Sequence, residues 1–175
     1  MVQHTGSQTT TPAERQEARQ ATWYQEGVVA GTLGAVTIAL WFLILDALGG
    51  RPLYTPNVLG HVVLKGLRDG AALQDLPLSL DVVVGFTFVH WLIFAALGGA
   101  AAYLLKLAEQ NPNLGFGVLL LFVVFESGFL AAEAVFAWPL SQVLPWRAVL
   151  AGNFLAAAAM ALYFWQRHRH MVVNP

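Results

Sequence analysis

The sequence predicts an all-α integral membrane protein, a bundle of four transmembrane helices with one short interfacial amphipathic helix between helices 1 and 2. Two observations support this fold class. Hydrophobic residues make up 57% of the chain and charged residues 11%, whereas about 25% of residues are charged in soluble domains. Four apolar stretches also reach the length of about 20 residues that a helix needs to cross a bilayer. We place these spans at residues 27–48, 82–105, 115–138 and 146–165.

Composition also limits the kinds of function that the chain can have. The net charge of −1 gives no indication of a nucleic-acid partner. The chain has no cysteine, which excludes disulfides, thiolate metal ligands and thiol catalysis. The sequence has no phosphate-binding loop, dinucleotide-binding glycine motif, nucleophile elbow or zinc-protease motif. The sequence does not indicate whether a cofactor binds, so the cofactor is unknown. The expected partners are the lipid bilayer and either copies of the chain or other membrane-protein subunits.

Residues 1–26 form a polar N-terminal tail that precedes the first span. Residues 11–14 (TPAE) make a capping box with proline at the first helical position, which predicts a short polar helix. Trp23 and Tyr24 follow, and such aromatic residues are typical of a membrane interface. We expect Asp46, at the far end of the first span, to reach water.

Small residues are frequent in the predicted spans, and several recur at a spacing of four. Small side chains let the backbones of neighbouring helices approach closely. We therefore predict that these positions pack against another helix, either within the chain or in a second subunit. The predicted helix-packing residues are Gly27, Gly31, Ala35, Gly98, Gly99 and Gly152.

The connection between the first and second spans, residues 49–81, contains a second helical pattern. Thr55 and Pro56 are expected to form the N-cap and first turn of a helix. Apolar residues then recur at helical spacing over a stretch too short and too polar to span. We predict an amphipathic helix that lies in the membrane interface. The polar residues that we assign to that interface are His61, Lys65 and Arg68.

The third predicted span carries two carboxylates, Glu126 and Glu133, which are seven residues apart and so share one helix face. An acidic side chain near the bilayer centre costs about 3 kcal/mol, so we expect Glu126 to be protonated, paired or facing a wet cavity. His90 in the second span and Asn153 in the fourth lie at similar predicted depths. These four residues form the candidate intramembrane polar cluster.

Three functions are compatible with these features. We favour a non-enzymatic structural or accessory subunit, because small-residue helix surface is abundant and no catalytic domain is evident outside the spans. The alternative is a proton-coupled transporter or channel that uses the intramembrane glutamates and His90. The second alternative is a cofactor-binding membrane redox subunit. One histidine and two carboxylates could hold a metal, but the helical E-x-x-H spacing is missing, so we predict no metal site.

Four spans place both termini on the same side of the membrane. Residues 27–166 then form one transmembrane domain, and residues 167–175 form a basic tail. The side of the termini carries the basic residues Arg15, Arg19, Lys106, Arg167 and Arg169. The opposite side carries Arg51, Lys65, Arg68 and Arg147. The positive-inside rule therefore favours, by a small margin, both termini in the cytoplasm and a location in the inner (cytoplasmic) membrane.

Overall fold

The computed structural model describes residues 11–67, 69, 72–73, 75–110 and 145–167. Within these ranges the chain forms four helices and no strand. We name the helices α1 (Pro12–Leu48), α2 (Tyr54–Lys65), α3 (Leu80–Gln110) and α4 (Trp146–Arg167). The predicted all-α character is confirmed for the described part of the chain.

Three of the four helices are long and apolar enough to cross a membrane, by the criteria of length and composition. Their qualifying stretches are Trp23–Leu48, Leu80–Leu107 and Trp146–Arg167. The shortest of them, with 22 residues, is about 33 Å long at the helical rise, and the hydrocarbon core is about 30 Å thick. These helices cover the first, second and fourth predicted spans. The third predicted span, residues 115–138, lies outside the described residues.

α1 is one continuous helix of 37 residues, in which the predicted polar helix and the first predicted span are joined. It begins at Pro12, a position where proline is tolerated because the first N–H groups of a helix have no intrahelical acceptor. No glycine or proline occurs between Pro12 and Gly27. The chain therefore has no residue in this stretch that would end the helix before the apolar part.

α2 lies in the predicted connection, but it begins differently from the prediction. The residue that precedes the helix is Leu53, in a left-handed conformation with φ 65°, and no side chain caps the helix from that position. The prediction that Thr55 is the N-cap was therefore wrong. Gly66, with φ 67°, ends the helix in the left-handed conformation that glycine adopts without strain.

α1 and α3 pack in opposite directions through small residues. A Cβ atom built on Gly27 would lie 2.6 Å from the Cα of Gly99, and one built on Gly98 would overlap the carbonyl oxygen of Gly27. One turn further along α1, a Cβ on Gly31 would lie 2.8 Å from the Cα of Ala95. The two backbones are therefore in direct contact, an approach that a larger side chain would prevent.

α4 packs against another face of α1, also in the opposite direction. A Cβ on Gly34 would lie 2.8 Å from the sulfur of Met160, and one on Gly152 would lie 2.9 Å from Cδ1 of Trp41. Ala35 is buried beside Gly34. α1 is thus the central helix of the described bundle, because α3 and α4 each contact it extensively and have no comparable contact with each other.

One end of this bundle is marked by aromatic and charged residues from all three long helices. The guanidinium of Arg167 lies 3.4 Å from the carboxylate of Glu26. The ring of Trp23 lies 5.7 Å from that of Tyr103 and 5.3 Å from the ammonium of Lys106. The C-terminal ends of α3 and α4 therefore lie together beside the start of the apolar part of α1.

Trp41 provides a polar contact between α1 and α4 that can be tested. Its indole Nε1 donates a hydrogen bond to the carbonyl of Ala148 at 2.9 Å, and Gly152 leaves room for the ring. Trp41→Phe keeps an aromatic ring and removes the donor. We expect the free energy of unfolding, measured by denaturation in mild detergent, to fall by about 1 kcal/mol.

The matched control is Trp146→Phe, because Trp146 is exposed at the start of α4. A surface substitution of this kind is expected to change the free energy of unfolding by less than about 0.5 kcal/mol. Equal losses in the two variants would contradict a specific role for the Trp41 hydrogen bond.

Candidate functional site

The structure describes two of the four residues of the predicted polar cluster. His90 is half-buried on α3, and its ring centroid lies 5.9 Å from that of Phe86 and 4.8 Å from that of Phe94. Asn153 is exposed on α4. The other two members lie outside the described residues: Glu126 and Glu133. The cluster therefore stays a prediction. Among the described residues, no group of three His, Asp or Glu side chains is arranged to hold a metal ion.

The predicted interfacial residues belong to α2 and its C-terminal end. His61 is half-buried, and Lys65 is exposed in the last turn of the helix. Arg68 lies outside the described residues. His61 forms a hydrogen bond within α2, since its Nδ1 lies 2.8 Å from the carbonyl oxygen of Asn57. A carbonyl can only accept, so Nδ1 is the donating nitrogen of this ring.

A second polar site lies where α1 joins α2, and the sequence did not predict it. Three polar side chains are buried in the described part of the chain: Asp46 (8% exposed), Thr55 (3%) and Asn57 (2%). Burying a polar group costs free energy unless it forms a hydrogen bond, so these three side chains are expected to have specific hydrogen-bond partners. We call the described residues between 46 and 79, which include α2 and parts of the segments on either side of it, the cap.

Asp46 holds the beginning of α2. Its Oδ2 accepts a hydrogen bond from the backbone N–H of Thr55 at 2.7 Å, and its Oδ1 accepts one from the Thr55 hydroxyl at 2.7 Å. The first N–H groups of a helix have no intrahelical acceptor, and the helix dipole favours a negative charge beside them. Asp46 was expected to reach water at the end of the first span. It is only 8% exposed, because the chain turns back after α1 and covers most of the residue.

The turn between α1 and α2 depends on two left-handed residues, Gly50 (φ 72°) and Leu53 (φ 65°). This conformation costs a residue other than glycine roughly 1–2 kcal/mol. It persists where neighbouring contacts fix the backbone. The two hydrogen bonds of Asp46 are such contacts, and so is the bond from the N–H of Arg51 to the carbonyl of Asp46 at 2.9 Å.

Asn57 fastens the other side of the cap. Its Nδ2 donates to the carbonyl of Pro77 at 3.1 Å, and its Oδ1 accepts from the N–H of Ser79 at 3.0 Å. One buried amide thus joins α2 to the segment that leads into α3. Beneath it, Val58, Val62 and Leu73 form a small apolar core.

The cap also rests directly on α3. A Cβ on Gly60 would lie 2.9 Å from the carbonyl oxygen of Val82 and 3.2 Å from the Cβ of Phe86. Leu64 lies against Gly85 in the same way, at 2.9 Å from a Cβ built there. The cap is therefore a packed element on the first turns of α3, and it closes the end of the bundle opposite to Glu26.

Asn57→Ala tests whether this amide orders the cap. The variant leaves the carbonyl of Pro77 and the N–H of Ser79 without their partner. We expect a loss of about 1–3 kcal/mol in the free energy of unfolding, the range for buried groups that lose a hydrogen bond. Amide hydrogen exchange in the cap should rise. Gln166→Ala is the control because Gln166 is exposed near the end of α4, and faster cap exchange in both variants would contradict the assignment.

A cavity of about 330 Å³ lies where the cap meets α1 and α4. Its polar lining consists of Asp46, Arg51, Tyr54 and Thr55, and its other lining residues are Phe42, Leu45, Gly49, Pro145 and Ala148. The guanidinium carbon of Arg51 lies 3.9 Å from the centre of the Tyr54 ring, a cation–π contact that positions the charge. The cavity thus combines one carboxylate and one guanidinium with an apolar wall.

No family model, no curated protein and no solved structure matches this chain. Its function is therefore inferred from the geometry of the bundle, the cap and the cavity.

Proposed function

We propose that the chain is a small multi-pass integral membrane protein with four spans, and that it is a non-enzymatic structural or accessory subunit. The observation that carries the proposal is the apolar surface of the three long helices. Large side chains are exposed on each of them, such as Leu40 (53%) on α1, Phe88 (58%) on α3 and Phe154 (73%) on α4. Soluble proteins rarely expose large contiguous apolar patches, whereas lipid tails solvate them.

The ends of the described helices support a fourth span. The last turns of α3 lie beside Trp23, which contacts Tyr103 and Lys106. α4 begins at the other end of the bundle, where the carbonyl of Ala148 accepts a hydrogen bond from Trp41. The two ends that residues 111–144 have to connect therefore lie at opposite ends of the described bundle. The apolar stretch of residues 115–138 has the length and composition to make this connection as a helix.

The position of the cap supports an interfacial location for α2. The cap sits at the end of the bundle where α1 ends and α4 begins. It carries the exposed Lys65 and the cation–π pair of Arg51 and Tyr54. Basic and aromatic side chains of this kind are typical of the headgroup region. α2 would then lie at the membrane surface, held there by Asp46 and Asn57.

A row of small residues on the outside of α4 supports packing against another protein. Asn153, Ala157 and Ala161 recur every four residues, and all three are exposed. The contact of α4 with α1 uses a different face, which contains Gly152 and Met160. Small residues allow close approach of helices, and an amide can form hydrogen bonds across such an interface. We assign this row to a helix of a second copy or of another membrane protein.

Purification from the native membrane in mild detergent, followed by mass spectrometry of what is retained, tests the proposal. We expect a stoichiometric membrane partner or a homo-oligomer. Ala157→Leu should weaken that association, because a leucine prevents close approach. Ala158→Leu is the control, since Ala158 is exposed about 100° away around α4. A wild-type protein that is a monomer with no retained partner would contradict the accessory role.

A proton-coupled transporter or channel is the second candidate, and the position of His90 favours it. An ionisable side chain within a membrane-spanning helix is a functional candidate by default. His90, ten residues after the start of α3, is half-buried between two phenylalanine rings. This candidate predicts that Glu126→Gln abolishes flux in proteoliposomes while the fold is kept. Wild-type flux no greater than that of empty liposomes would count against it.

A further inference from the structure

We propose that the cavity between the cap, α1 and α4 binds the headgroup of a zwitterionic phospholipid, one that carries a phosphate and a primary ammonium group. This inference rests on the proposed membrane location of the three long helices. It goes beyond that proposal because it names a ligand and the residues that select it.

The position of the cavity suits an amphiphile. Phe42 and Leu45 belong to the apolar part of α1, whereas Arg51, Tyr54 and Thr55 belong to the polar cap. The cavity therefore lies across the boundary between the apolar bundle and its polar end. A lipid headgroup occupies this same boundary in a bilayer, with its phosphate in the polar layer and its acyl chains on the apolar side.

The charges in the cavity are of both signs. The guanidinium of Arg51 offers N–H donors whose planar geometry fits a phosphate group. Asp46 carries the opposite charge, and its two oxygens have about four acceptor sites in total, of which Thr55 uses two. Asp46 is only 8% exposed but lines the cavity, so an ammonium group inside the cavity could use the acceptor sites that Thr55 leaves. A headgroup with only a negative charge could pair with Arg51 but not with Asp46, and one with only a positive charge could pair with Asp46 but not with Arg51.

The chemistry of Asp46 also distinguishes between ammonium groups. A primary ammonium has three N–H donors, whereas a quaternary ammonium has none and cannot donate a hydrogen bond to a carboxylate. Phosphatidylethanolamine should therefore bind better than phosphatidylcholine. The acyl chains of phosphatidylethanolamine could pack against the helices that border the cavity, because Leu48, Trp146 and Leu150 are exposed there.

The experiment is native mass spectrometry of the full chain, purified in detergent and incubated with phosphatidylethanolamine, phosphatidylcholine or phosphatidylglycerol. We expect phosphatidylethanolamine to be retained most strongly. Arg51→Gln should lower its affinity about tenfold, the loss expected for one charge-assisted hydrogen bond. Arg147→Gln is the matched control. Arg147 lies on α4 beside Ala148 but does not line the cavity, so its variant should retain the lipid like the wild type.

Asp46→Asn provides a second, independent test. The amide oxygen can still accept a hydrogen bond from Thr55, but the negative charge is removed. We expect this variant to lose its preference for phosphatidylethanolamine over phosphatidylcholine. Soluble O-phosphoethanolamine at the same concentration should not displace the lipid, because it lacks the acyl chains. Displacement by the soluble compound would overturn the assignment of a lipid as the occupant.

Three further results would overturn the proposal: equal retention by the wild type and Arg51→Gln, equal loss in Arg147→Gln, or no lipid retained at all. Alkaline carbonate extraction of membranes, done in parallel, tests the membrane location separately. A chain that stays in the membrane pellet but shows no Arg51-dependent lipid binding would refute this inference alone. A chain released by carbonate would refute the membrane location as well.

Discussion

Gly98→Ala is expected to separate α1 from α3 and to lower the free energy of unfolding by about 3 kcal/mol, the upper part of the range for overpacked cores. The new Cβ would overlap the carbonyl oxygen of Gly27 and lie 2.5 Å from the nitrogen of Gly31. These are backbone atoms, which cannot rotate away as a side chain can. The whole helix would have to move, and it would lose contact along its length. Denaturation in mild detergent measures the loss.

The neighbouring residue provides a matched control. A Cβ on Gly99 would meet no heavy atom within 4 Å. Gly99→Ala should therefore leave the stability unchanged or raise it by up to about 1 kcal/mol, because alanine favours the helix more than glycine does. Equal losses at Gly98 and Gly99 would show that the α1–α3 contact is not made through Gly98.

Asp46→Ala is expected to release the beginning of α2 and to lower the free energy of unfolding by about 2–4 kcal/mol. The variant removes two short hydrogen bonds and leaves the N–H and the hydroxyl of Thr55 buried without an acceptor. It also removes the negative charge beside the helix N-terminus. Hydrogen exchange of the α2 amides measures the local effect, and denaturation measures the global one.

Asp75→Ala is the control for this variant, because Asp75 is exposed in a turn of the cap. It should change the stability by less than about 0.5 kcal/mol. The loss in the free energy of unfolding for Asp46→Asn should lie between those of Asp46→Ala and Asp75→Ala, since the amide oxygen can still accept one of the two hydrogen bonds. Fast α2 exchange in Asp75→Ala, or unchanged exchange in Asp46→Ala, would contradict the assigned role of Asp46.

The long helices could be predicted from the sequence, because the length of an apolar stretch can be counted along the chain without knowing the fold. The structure extends the first span at its start, to Trp23. The pairing of the helices was not visible, because small residues such as Gly27 and Gly98 indicate close packing but do not say against what. The contact of Gly27 with Gly98 and Gly99, rather than with a second subunit, appears only in three dimensions.

The cap could be predicted only in part. The apolar spacing after Pro56 predicted a helix, but the bonds of Asp46 and Asn57 join residues 9 to 22 positions apart and have no periodic signal. The available signals were the Gly49-Gly50 turn after Asp46 and the Thr-Pro pair that follows. They predict a chain reversal between two helices, which brings an acid at the end of one close to the first turn of the next.

The predicted polar cluster is a different case. The depth of a residue along a helix can be read from its position, and His90 is the eleventh of the 31 residues of α3. The direction in which a side chain faces depends on neighbouring helices. Asn153, the other described member of the predicted cluster, is exposed on α4, and the third predicted span lies outside the described residues. A contact between His90 and the glutamates of the third predicted span stays a prediction.

Labelling of single cysteines with a membrane-impermeant maleimide tests the central claim, a membrane-spanning bundle with the cap at one end. The chain has no cysteine of its own, so each variant reports one position. We predict that Asp75→Cys in the cap and Gln166→Cys near the end of α4 are labelled from opposite sides of the membrane. Leu40→Cys, in the apolar part of α1, should be labelled only after detergent is added. Labelling of Asp75→Cys and Gln166→Cys from the same side, or of Leu40→Cys in intact membranes, would contradict the account.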